Sequence, residues 1–185
     1  MNLLTGKINK PSPKVVPGSK KKLEKLISEH IEKIKPRPGQ EVDFNWIDIS
    51  EVDDLSYLFA NVDYIPVVGT WLDKSKEDKS NVKKNMRCMF ACSKFNGNIS
   101  EWNVSNVTDM RGMFAHSNFN GNISRWDVSN VTDMRGMFAH SNFNGDISGW
   151  KDKVKKVKDM RWMFDGCPLE NNPPEWYKEK KVRVN

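Results

Sequence analysis

The chain has 185 residues, 37% of them hydrophobic and 29% charged, enough for one ordinary domain and too few for two large ones. No apolar run approaches the ~20 residues that a membrane-spanning helix needs, and the three cysteines argue against a disulfide framework and for a reducing compartment. The net charge of +6 is unevenly placed: ten basic against three acidic side chains in residues 1–40, three against ten in 41–80, seven against five in 81–150, and ten against six in 151–185. A chain basic at both ends with an acidic block between them is poorly described by the label of nucleic-acid binder that its overall charge invites.

Residues 1–18 form a basic arm. Pro11, Pro13, Pro17 and scattered lysines leave it without a core pattern. Its start lacks the apolar stretch of roughly 7–15 residues that a secretory signal carries. The chain therefore reads as cytoplasmic, or as a cell-surface protein if an export signal has been removed. Residues 19–40 hold a helix: from Ser19 to Ile34, the residues Leu23, Leu26, Ile27, Ile31 and Ile34 stand at helical spacing, behind a serine cap and before Pro36. The helix is expected to close the N-terminal end of the fold, with a partner-binding role as the alternative. Residues 41–80 read as a degenerate acidic repeat, Phe44 to Ala60, followed by an insertion loop, Leu72–Ser80.

A repeat dominates residues 81–165. "NVTDMRGMFAHSNFNG", from Asn106 to Gly121, recurs unchanged from Asn130 to Gly145, an offset of 24. Looser copies run from Asn81 to Gly97 and from Val157 to Cys167. Met-Phe pairs fall at 89–90, 113–114, 137–138 and 163–164, and tryptophans at Trp102, Trp126, Trp150 and Trp176. A fixed period of about 20–50 residues marks an array of stacked units. Residues 166–185 are expected to cover the last unit through Trp176 and Tyr177.

Each unit has its own anatomy. Met110, Met113 and Phe114 stand at i, i+3 and i+4, one face of a short helix that Thr108 or Asp109 would cap. Phe119 and "NGN" signal a turn, and the alternation in "ISRWDVS" fits a short strand. The expected fold is an α/β repeat solenoid, a short strand plus a short helix in each 24-residue rung, with an N-terminal helical cap. Ile99, Ile123 and Ile147 should stack in its core, and Asn96, Asn120 and Asn144 should form a ladder.

The stretch "NGNISRWDVSNVTDMRGMF" resembles the repeat of BspA-like leucine-rich-repeat surface proteins of mycoplasmas and other low-GC bacteria. Phe95 through Phe114 match that pattern in order, and Phe119 through Phe138 match it again. The resemblance implies a right-handed repeat solenoid used for binding, often at a bacterial surface. It implies no enzyme activity, no cofactor and no catalytic residues.

Several columns could carry function. Arg87, Arg111, Arg135 and Arg161 recur one per unit and are expected to face outward. They read either as partners of the neighbouring Asp109, Asp133 and Asp159 or as a linear anion-binding face. Lysines cluster at Lys20, Lys21 and Lys22 and at Lys151, Lys153, Lys155, Lys156 and Lys158, as solvated faces or as tracks for nucleic acid, a ribonucleoprotein or an acidic protein. Glu41, Asp43, Asp48, Glu51, Asp53 and Asp54, with Asp63, form the opposite pole and would suit a basic partner. Asp109, His116 and Ser117 suggest a triad, but their recurrence on successive rungs argues against catalysis, which needs one desolvated geometry. Cys92, His116 and His140 share a column about 5 Å apart per rung; three ligands in line fall short of a structural zinc tetrahedron. The expected function is a non-catalytic protein-interaction module. The alternatives are an intracellular phage or mobile-element inhibitor docking on a nucleic-acid enzyme or ribonucleoprotein, and a direct nucleic-acid binder.

Overall fold

The computed structural model describes residues 15–35, 42–49, 52–56, 58 and 85–182. The first fourteen residues of the basic arm, Glu41, Glu51, Asp63 and the insertion Leu72–Ser80 lie outside the described residues.

The units are joined by single parallel bridges. Asp54 pairs with Asn85, Asn85 with Asp109, Asp109 with Asp133, and Asp133 with Asp159. From this column the backbone advances as a ribbon of turns. The N–H groups of Met110, Gly112, Phe114 and His116 donate to the carbonyls of Asp133, Arg135, Met137 and Ala139 in the next unit, at 2.8–3.0 Å. Those of Met113, Ala115 and Ser117 turn back instead to Met110, Gly112 and Phe114, three residues earlier. Every second donor thus serves the stack and every other one serves its own turn, which satisfies the buried main chain without a regular element.

This geometry overturns the expected α/β solenoid with a strand and a helix in every rung. Among the described residues the α-helices are α1 (Lys20–Ile34) and α2 (Glu175–Val182), both outside the repeats. Single 3-10 turns lie at Ser148–Trp150 and Pro168–Glu170, and isolated bridges take the place of strands. The reason is conformational. Met110, Met113 and Phe114 are all fully buried, as their spacing demands, but Gly112 at φ +56 and His116 at φ +55 are left-handed. An α-helix cannot propagate through a left-handed residue every fourth position, so a turn ribbon buries the same residues. Asp109 accordingly does not cap a helix. Its carboxylate accepts the N–H of Arg111, two residues on, at 2.9 Å. The strand expected at "ISRWDVS" fails for a related reason. Asn122 accepts from the N–H of Ser124 at 3.0 Å and Asp127 from that of Ser129 at 3.1 Å, and such local bonds compete with a ladder.

The recurring apolar residues do stack. Phe90, Phe114, Phe138 and Phe164 lie nearly parallel, with centroids 5.3, 5.7 and 5.9 Å apart in turn, and Phe119 and Phe143 form a second file at 6.2 Å. The indole N–H groups of Trp102, Trp126 and Trp176 donate to the carbonyls of Phe44, Ile99 and Ile147 at 2.9–3.1 Å. Ile99, Ile123 and Ile147 are buried. The asparagine ladder is present: the N–H of Asn120 donates to Asn96 and that of Asn144 to Asn120, each at 2.8 Å.

Two helices flank the stack. Helix α1 buries Leu23 and Ile27 and sets His30 against Trp46, with centroids 4.8 Å apart. Helix α2 sets Tyr177 edge-on to Phe164 at 4.9 Å. Among the described residues no helix is long and apolar enough to cross a membrane.

Candidate binding surface

The bridge column builds the surface. Asp109, Asp133 and Asp159 each accept the N–H of the arginine two residues on, and this turn folds the arginine back over the same carboxylate. Arg111 Nε lies 2.9 Å from Asp109 Oδ2 and also reaches Asp133 in the next unit, at 3.6 Å. Arg135 repeats the pattern, 3.1 Å from Asp133 and 3.3 Å from Asp159. Arg161 binds Asp159 at 2.7 Å, and no further carboxylate of the series stands beyond it among the described residues. Exposure follows the pairing: the side chains of Arg111 and Arg135 are 23% and 21% exposed, and that of Arg161 is 63%. Arg87 is buried rather than outward-facing. The four arginines are therefore not one anion-binding face.

The carboxylates respond to their depth. Burial lifts the Asp133 carboxyl above its ordinary range, against the hydrogen bonds from Arg135. Burial acts the same way on Asp159, but the hydrogen bonds from Arg161 outweigh it and hold the group below the ordinary range.

Beside Arg161 stands Trp162, a residue that the repeat pattern alone passes over. It occupies the position of Gly112 and Gly136, keeps their left-handed backbone at φ +56, and is 50% exposed. A bulky residue at positive φ is uncommon and strained. The Arg161 guanidinium carbon lies 5.4 Å from the centre of its ring. The signal was in the sequence: "DMRGMF" occurs twice and becomes "DMRWMF" in the last unit.

The lysine cluster is largely turned to its own chain. Lys151 pairs with Glu179 at 3.2 Å and Lys155 with Asp152 at 3.4 Å. Lys153 donates to the Trp126 carbonyl at 3.0 Å and Lys156 to the Asn130 side chain at 2.6 Å. Lys158 is exposed, as are Lys21 and Lys22, while Lys20 donates to the Ser56 carbonyl. At the acidic pole, Asp43 and Asp54 spend a carboxylate oxygen on the N–H of Asn45 and Ser56, both at 2.9 Å. Asp53 is exposed and Asp48 half-buried; Glu41 and Glu51 lie outside the described residues.

The triad residues are engaged separately. Ser117 donates to the Phe114 carbonyl at 2.7 Å, and Asp109 is held by Arg111. His116 and His140 stack at 4.8 Å. His140 Nε2 lies 3.5 Å from Asp165. Among the described residues no group of three or more His, Cys, Asp or Glu is placed to hold a metal.

A family model described as a Mycoplasma protein of unknown function, DUF285, matches residues 54–177. No curated protein and no solved structure matches the chain.

Proposed function

The chain belongs to the DUF285 family of mycoplasma proteins, and we propose that it is a non-catalytic protein-interaction module of the BspA-like kind that binds through its last repeat. The observation that carries this is Trp162. A large aromatic side chain is held half exposed, in a strained backbone conformation, where the two identical repeats have glycine and the one before them has the small, buried Cys88. Folding gains little from it there, whereas tryptophan and arginine are among the residue types enriched at the positions that dominate binding energy in protein interfaces. The interior arginines suit a phosphate backbone poorly, because Arg111 and Arg135 each already meet two carboxylates. A direct nucleic-acid role is accordingly the weaker reading.

The test is a photo-crosslinking residue at position 162 of the full chain, compared with one at the exposed Asn142, in a mycoplasma lysate. Discrete protein adducts from position 162, absent from position 142, are expected. Equal adducts from both positions, or RNA adducts alone, defeat the proposal.

A further inference from the structure

We infer that the last rung is a docking edge for a short aspartate-bearing peptide segment, which adds to it in the register of one further rung; this rests on the interaction reading above and names the partner's chemistry. The stack has a direction. In the interior, the N–H groups of Met134 and Gly136 donate to the carbonyls of Asp159 and Arg161, at 2.8 and 2.9 Å. The corresponding donors in the last rung are those of Met160, Trp162 and Phe164, and they have no hydrogen-bond partner among the described residues. An open row of main-chain donors is a template for strand-like addition.

The side chains repeat the vacancy. Arg111 and Arg135 each bridge two carboxylates, one from their own rung and one from the next. Arg161 has the first and, among the described residues, lacks the second. In the interior one aspartate fills both roles: the Asp159 carbonyl takes the Met134 N–H while its carboxylate meets Arg135. The added segment therefore needs one aspartate whose carbonyl accepts from Met160 and whose carboxylate pairs with Arg161. The carbonyl two residues on accepts from Trp162, with the indole lying alongside as apolar cover.

The row also has a far end. The N–H of Gly166 is already taken by the Glu170 carboxylate at 2.9 Å, and Tyr177 covers Phe164. The segment is thus short. A phosphate would satisfy Arg161 but not donors spaced along a chain, so the pattern favours a peptide over a nucleic acid.

The probe is a fluorescein-labelled peptide with the sequence of residues 130–138, "NVTDMRGMF", titrated against the full chain by anisotropy beside its Asp→Asn version and a mixed-sequence RNA 12-mer. The aspartate peptide should bind, and the asparagine version should bind at least about tenfold more weakly, the usual scale for a hydrogen-bonded charge. Arg161→Gln should weaken the aspartate peptide to the same degree and abolish the discrimination between the two. Trp162→Gly should weaken both. Absence of binding, equal affinity for the two peptides, tighter binding of the RNA, or a dimer of the chain that Trp162→Gly disperses and the peptide does not would each overturn the inference. Failure of the peptide with persistence of crosslinking at position 162 would remove this docking mode and leave the interaction reading standing. Failure of both would remove the two together.

Discussion

The interior repeats and the last repeat use nearly the same residues to opposite ends. From Asp109 to Ser141 the arginine is shared between two carboxylates, the left-handed position is glycine, and alternate N–H groups are paired with the next unit. From Asp159 to Cys167 the arginine has one carboxylate, the left-handed position is a half-exposed tryptophan, and three donors stand without a partner among the described residues. Whether this chemistry is scaffold or site depends on whether another rung succeeds it. On the proposed reading, an array held by nearest-neighbour contacts makes its binding surface at the rung where the repeat pattern ends.

The comparison breaks first at the phenylalanine file. Phe114 is fully buried between Phe90 and Phe138 and lies 4.2 Å from Phe119, whereas Phe164 has Phe138 on one side and the edge of Tyr177 on the other. Phe114→Ala should cost about 3–5 kcal/mol in urea unfolding, the usual loss for a buried aromatic. Phe164→Ala should cost about 1 kcal/mol less, because the terminal helix can settle into the space. Equal losses would mean that the end is held as tightly as the interior. The left-handed positions sharpen the same contrast. Gly136→Ala should cost about 1–2 kcal/mol, since it adds a side chain at φ +54. Trp162→Gly relieves that strain and should leave stability within about 1 kcal/mol, so a binding defect in it cannot be blamed on unfolding.

How much of this the sequence disclosed depends on what each signal measures. The 24-residue step and its Phe, Ile, Trp and Asn files were readable, because a residue that recurs in register stacks on its own copy. The local structure is not legible at Met110, Met113 and Phe114, whose spacing fits a helix and a turn ribbon equally. Gly112 and Gly136 carry the deciding signal, a glycine in each of the two identical units where a helix has no use for one. The arginine column stayed open between two readings because a residue string does not show whether a side chain reaches back to its own rung or out to solvent. Trp162 is legible in the sequence only as a departure from the repeat, and it gains meaning from the structure, in which no further rung follows it among the described residues.

The smallest effect concerns the histidines of the same ladder. The His116 imidazole sits below its ordinary 6.5 because burial disfavours the charged ring, with the neighbouring His140 adding to the effect. Its Nε2 is buried without a hydrogen-bond partner, while His140, one rung nearer the end, faces Asp165. His30 is displaced the same way, by burial and then by Lys33, against Asp43. A folded state whose histidine resists protonation binds fewer protons than the unfolded chain below about pH 6.5, so stability rises with pH there. Melting temperature should therefore hold between pH 8 and 7 and fall as pH drops through 6.5. His116→Asn should flatten that fall without abolishing it, since His30 remains and asparagine tolerates the left-handed backbone at φ +55. An unchanged slope in the variant would mean that the interior histidine already finds a partner for its proton, and that in this column the interior and the end do not differ.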